Sequence, residues 1–356
     1  MQPIFPLHRR GLLKGLGAGA LGLSLPSLAG CGERAQLSFA NWESYLGETT
    51  LADFKDATGI DVALSAIADE NSLFDQLAKG DVRLDLIMAS NRMVERLAGA
   101  GLLTSISKAR VPNLRNLDPR FADAPYDPGR KYSVPYTWLA YGLVYRRSAV
   151  AQPPRGWNDL LTNLAYADKI ALPADPADLI RIVGKSLGKG ANAITLDDLP
   201  ALAVRLRDIQ SRIKAFHHDD GQDLLASKQV DIVADFNGDA AQVMLEDKDI
   251  GFIHPSEGAE MTCDNLCIPV AAGNAENAHR FIDYVLGGQA GMRVIETILY
   301  PTPNLAAKAL MPEQYQTSTV LFPPPEVFAK LEYARWQPDL DAAMDKAVRA
   351  VLGPQA

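Results

Sequence analysis

Residues 37–67 read LSFANWESYLGETTLADFKDATGIDVALSAI, and their order decides the fold class. Residues 37–42 form a short strand-like run. Across 50–58, Leu51, Phe54 and Ala57 fall on one helical face, and Gly59 stops the helix. Residues 62–67 return to a strand. Outward from there the alternation continues: helical spacing at 73–77, an apolar run of strand length at 84–90, and a helix over 93–100 that stops at Gly101. Strand–helix–strand–helix–strand order predicts a parallel sheet with helices on its faces.

Farther on, 113–135 is rich in Pro, Asp, Asn and Tyr and reads as a long irregular connection, whereas 136–147 is strongly β-like and long enough to run between two lobes. A second α/β series begins near Trp157. It has strands at 170–173, 232–236, 250–254 and 262–270, and helices at 178–187, 199–213, 275–286 and 290–298. A mostly helical tail follows Pro323.

The first 30 residues read as an export signal rather than as fold. Arg9-Arg10 open a basic region, a Gly/Ala/Leu-rich stretch runs from 15 to 25, and Leu28-Ala29-Gly30-Cys31 follows. The segment around Arg9-Arg10 resembles the twin-arginine motif, and the tetrad resembles a lipobox, which makes Cys31 the expected lipidation site. A plain signal peptide with a chance cysteine is the alternative. About 325 residues then remain, enough for two domains with good cores. No later apolar run approaches the roughly 18 residues of a membrane helix. A net charge of −8 argues against nucleic acid as a partner. Cys263 and Cys267 share one strand, with Cα atoms roughly 13 Å apart, too far for a disulfide; they read as small buried hydrophobes.

Three motifs raise catalytic or metal chemistry. Gly17–Gly22 matches a dinucleotide fingerprint by letter but lies in the signal without a preceding strand. Gly184-Lys185-Ser186-Leu187-Gly188 matches a hydrolase nucleophile elbow, yet sits at a helix end. His217-His218-Asp219-Asp220 carries metal-ligand side chains, but neighbours in a strand point to opposite faces. An exported hydrolase is thus a remote alternative, and no catalytic residue, metal or cofactor is expected.

A lipid-tethered, two-lobed protein without a catalytic set suits solute capture, with the ligand where strand ends converge. A protonated amine on an alkyl chain would want carboxylates for its charge and aromatic walls for its methylenes. Such residues stand at strand ends: Trp42 and Tyr45; Ser90, Asn91 and Arg92; Asp175 and Asp178; Phe236, Asn237 and Asp239; and Asp264 within its strand. Asp175 and Asp178 read equally as helix caps.

Several segments recur in one order: Asn41-Trp42-Glu43-Ser44-Tyr45, Thr58-Gly59-Ile60, Asn116-Leu117-Asp118-Pro119, 132–138 (YSVPYTW), 300–307 (YPTPNLAA) and Trp336-Gln337. In these the chain resembles the bacterial spermidine/putrescine-binding proteins over nearly all of its mature length. The resemblance implies a two-lobed, type II-like periplasmic binding protein. Each lobe would hold a mixed, mostly parallel sheet flanked by helices, with two crossing strands as hinge. It assigns 31–139 plus 260–308 to lobe 1 and 140–259 plus 309–356 to lobe 2.

The resemblance also places an aromatic wall at Trp42 and Tyr45, a polar contact at Ser90, ammonium-binding carboxylates at Asp175, Asp178 and Asp264, and further contacts at Phe236, Tyr300 and Gln337. The implied protein is a periplasmic monomer that hands putrescine, spermidine or a related cation to an ABC permease in the inner membrane. Departures stand out: Arg92 and Thr262 replace aromatic residues, Phe236 replaces Trp, and Asp178 replaces a longer Glu. If Asp175, Asp178, Asp264 and Arg92 all line the cleft, about −2 of charge suits a dication. Arg92 would equally anchor a zwitterionic, amino-acid-like solute, point outward, or pair with one of these aspartates.

Overall fold

The structure, a computed structural model, describes residues 36–218 and 220–353; the expected signal, Cys31 and Asp219 lie outside the described residues. The strands are β1 (Gln36–Asn41), β2 (Asp61–Ala66), β3 (Leu86–Ser90), β4 (Ser133–Arg146), β5 (Ile170–Pro173), β6 (Ile213–His217), β7 (Ile232–Phe236), β8 (Ile250–Ile253), β9 (Glu260–Cys267) and β10 (Glu332–Tyr333). They follow one path, β2-β1-β3-β9-β4-β7-β5-β6, with β10 on β9 and β8 on β4. β1 pairs parallel with β2 and β3, and β5 parallel with β6 and β7. Where the halves join, β4 runs antiparallel to β9, β7 and β8.

Local chemistry explains these elements. β3, β5 and β7 are nearly continuous apolar runs, as strands covered on both faces must be. The helix Thr50–Thr58 ends where expected: Gly59 takes φ 74° and its amide donates to the Lys55 carbonyl. β4 tolerates Pro135 because the register slips between Pro135 and Thr137, and a proline lacks the ladder donor that a regular position would use.

β4 is the crossing strand. Residues 133–140 pair with β9, and 141–145 pair with β7. All fourteen of its residues are buried. Two large apolar cores lie on either side of that division. The first holds Phe39, Ile87, Trp138, Leu266 and Phe281; the second holds Leu143, Trp157, Leu172, Ile180 and Met344. Each such side chain contributes about 1.5–3 kcal/mol by leaving water, so two separate cores mean two lobes. The second crossing is interrupted: β8 and β9 both lie along β4, joined by 254–259. The tail after 308 divides between the lobes. Phe328 and Tyr333 pack against the first core and β10 extends β9, while Pro338–Leu352 gives Met344 and Val348 to the second core.

Cys263 and Cys267 are both free and fully buried, the small apolar role expected of them. Among the described residues no helix is long and apolar enough to cross a membrane.

Candidate functional site

β9 carries Asp264 between two neighbours. Its register partners are Ser90 on β3 and Thr137 on β4. The loop after β1 folds over it, with Ser44 at φ 58°, a left-handed conformation that costs a residue with a side chain about 1–2 kcal/mol. Beyond it Tyr45 donates its hydroxyl to Asp264 Oδ2 at 2.6 Å, and that hydroxyl lies 2.7 Å from Thr137 Oγ1. Trp42 and Thr137 also hydrogen bond to the Asp264 side chain. Burial pushes the Asp264 carboxyl up despite these donors. The Tyr45 ring meets Tyr136 and, edge-on, Tyr300 at 5.9 Å. The Tyr300 hydroxyl donates to Asp239 Oδ1 at 2.6 Å, reaching the helix that follows β7.

A second acidic group stands across the division. Asp175 caps the helix Pro176–Ser186, accepting from the amides of Ala177 and Asp178, and is itself exposed. The cap reading of Asp175 is therefore met by the structure. Asp178, one turn on, accepts the Tyr141 hydroxyl at 2.8 Å. Its carboxyl is pushed up to about 8, first by burial and then by the negative charges of Glu260 and Asp175. Tyr141 stacks on Phe236, ring centroids 4.1 Å apart, so Phe236 provides an aromatic face beside Asp178.

Arg92 finds a partner of its own. It does not pair with Asp175, Asp178 or Asp264; its Nη2 lies 2.5 Å from Asp341 Oδ2, on the helix Pro338–Leu352. That partner was absent from the expected pairings. The Gln337 amide, which precedes this helix, donates to the same oxygen at 3.4 Å. Arg181 serves the other Asp341 oxygen at 3.1 Å and lies 3.4 Å from Glu260 and 3.5 Å from Asp178. Ser90 caps the helix Asn91–Gly99 and donates its amide and hydroxyl to Glu70, both at 2.7 Å. Burial raises Glu70 as well, while Asp264 and Arg92 act on its charge with opposite sign.

The ten expected residues fall in two groups: Trp42, Tyr45, Ser90 and Tyr300 around Asp264, and Arg92, Asp175, Phe236 and Gln337 around Asp178 and Asp341. Glu70, Tyr141, Arg181, Glu260 and Asp341 were missed. Only Arg181 left a trace in the sequence: a charge inside the apolar run 179–183 must be buried with partners.

The alternative readings fare differently. Arg92 gives Nη2 to Asp341, while its buried Nε has no hydrogen-bond partner among the described residues. Ser186 is buried at its helix end and donates its hydroxyl to the Val183 carbonyl at 2.7 Å. His217 lies with Nε2 3.0 Å from the Ala234 carbonyl, at the end of β6.

Gly238 shows how tightly the Tyr300 ring is fitted. A Cβ there would lie 2.4 Å from Tyr300 Cδ1 and 2.8 Å from Leu139 Cδ2. In Gly238→Ala the Tyr300 ring should shift, and ligand affinity should fall about tenfold. Alanine's better helix propensity, about 1 kcal/mol, should offset part of the stability loss. Calorimetric titration with a melting curve on the same sample checks both halves.

Comparison with known proteins identifies the family and the fold. The family model described as bacterial extracellular solute-binding protein matches residues 49–323. The spermidine/putrescine-binding periplasmic protein of Escherichia coli (strain K12) is 30% identical over 92% of this chain and 93% of its own length. The putrescine-binding periplasmic protein PotF of the same organism is 28% identical over 94% and 96%. Among solved structures, the spermidine/putrescine ABC transporter substrate-binding protein PotD from Streptococcus pneumoniae superposes with TM-score 0.83 at 25% identity, covering 89% of this chain and 98% of that one. The two-lobed α/β architecture is common to both. Matched by that model and aligned to such relatives over 92% of its length, the chain belongs to the bacterial extracellular solute-binding protein family.

Proposed function

We propose that this protein captures a small amine cation of the polyamine kind in the cleft between its lobes and delivers it to an ABC permease, without bond chemistry. One observation carries the reading. Asp264 is a buried and Asp178 a half-buried carboxylate, both held above the usual range and each framed by aromatic rings and donor hydroxyls. Such groups stand at an energetic disadvantage until an ammonium arrives. Trp42 and Tyr45 would wall one end of the alkyl chain, Phe236 with Tyr141 the other, and Tyr300 the side. Ser90, Gln337 and Asp175 would act through the groups they hold in place. The names of the relatives, which bind spermidine and putrescine, support the same ligand class.

The lobes would divide at 139/140 and 259/260, with the tail returning to the second lobe through Pro338–Leu352. The protein would reach the periplasm by the twin-arginine-like signal, stay tethered through lipidated Cys31, and act as a monomer. A thermal-shift panel of putrescine, spermidine and an amino-acid-like zwitterion tests the core of this. At least one of the amines should stabilise, by about 2.7 kcal/mol at a hundredfold excess over its Kd. A panel in which no amine shifts the melting curve would sink the proposal.

A further inference from the structure

An ammonium entering the cleft can use only carboxylates that the protein has not already neutralised. Asp264 and Asp178 are two such groups. Asp264 is held by neutral donors, Tyr45, Thr137 and Trp42. Asp178 takes a neutral hydroxyl from Tyr141, and its cation, Arg181 at 3.5 Å, is shared with Glu260 and Asp341.

The third acidic position is filled from within. Arg92 starts from the first lobe, in the helix Asn91–Gly99, and reaches Asp341 in the helix whose Met344 and Val348 fill the second core. Arg181 closes on the other oxygen of Asp341. Glu260 lies in the field of both guanidiniums, and Glu70 in that of Arg92. Arg92 therefore stands among acidic groups: it pairs with Asp341, and its charge also acts on Glu70 and Glu260.

Resting on the amine reading above, we propose that Arg92 is the specificity-determining residue of the cleft. Its guanidinium occupies the place a third ammonium would take, so the site accepts diamines and excludes triamines. A guanidinium cannot shed its proton, so the exclusion holds at every working pH. Repulsion of the wrong ligand then sets specificity as much as attraction of the right one. The Asp341 ion pair keeps the charge in place, because only 29% of the Arg92 side chain and 18% of the Asp341 side chain is exposed.

Calorimetric titration of the purified protein with putrescine, a diamine, and spermidine, a triamine, tests this directly. The native protein should bind putrescine at least about tenfold more tightly, a ratio that needs no variant to read. Arg92→Gln should tighten both amines, spermidine about tenfold more than putrescine, so that the preference for the diamine collapses. Asp341→Asn, which keeps the guanidinium, should still exclude spermidine. Native protein that binds spermidine as tightly as putrescine overturns the inference, as does an Arg92→Gln variant that moves both affinities alike. Binding of neither amine by the native protein overturns the amine reading itself, and this inference with it.

Discussion

Asp264→Asn should lose at least about 100-fold in amine affinity while the unliganded protein melts no lower than before. The two halves have one cause. In the folded protein burial raises the Asp264 carboxyl above its ordinary value, so its ionised form is a burden at neutral pH. Asparagine keeps the shape and removes the charge. Its oxygen can still accept from Tyr45 at the position of Oδ2, and the Thr137 hydroxyl can turn to receive its amide. An arriving ammonium would then lose a buried counter-charge worth about 3–5 kcal/mol when one partner is deleted. Calorimetry and a melting curve on the same preparation read both quantities. A variant that melts several degrees lower would show that Asp264 supports the fold instead, and its lost binding would carry no weight.

Amine binding at neutral pH should also release close to one proton. Asp178, pushed up to about 8, is mostly protonated at pH 7 in the unliganded protein. An ammonium beside it favours the ionised form, so the proton leaves as the ligand arrives. Affinity should accordingly weaken about tenfold between pH 7 and pH 6 and flatten above about pH 8. The sign for stability follows from the same shift. An unfolded carboxyl titrates near 3.9, so between about pH 4 and pH 8 the folded protein binds the extra proton. The unliganded protein therefore loses stability as pH rises through that window. Titrations in two buffers of different ionisation enthalpy count the proton. A count of zero, or one unchanged in Asp178→Asn, would contradict the assignment.

How far the sequence carried these conclusions depended on how local each signal was. β5 and β7 were legible to the residue because short apolar runs end abruptly in polar ones. The helix Thr50–Thr58 was legible because Gly59 stops it. β6 was not: Lys214 interrupts its apolar pattern, and the helix expected over 199–213 in fact ends at Ile209 before a tight turn at 210–212. The helix Asn237–Glu246 hid behind Asn237-Gly238, a dipeptide that reads as a turn. In the fold that glycine makes room for Tyr300.

The site divided in the same way. Trp42, Tyr45, Ser90 and Asp264 were found because position at or in a strand is visible in one stretch of chain. Asp341 and Glu260 were not, because each is meaningful only as a partner. Arg92 and Asp341 are 249 residues apart, Arg181 and Asp341 160, and Arg181 and Glu260 79. Arg92 was singled out, but its partner could not be.

β9 also fixes when this protein can finish folding. It lies between β3 and β4, so the first lobe's sheet has a missing member until residue 267 has been made. The Asn265 side chain must find the Ala89 carbonyl 176 residues back along the chain, a wait of about 9–35 s at 5–20 residues per second. The second lobe waits longer still, since Met344 and Val348 complete its core. Meanwhile β3 and β4 each present an unpaired edge, the kind of surface on which chains stick to one another. The first core, whose buried members end at Ile298, can close before the second, and both wait on slow long-range pairing.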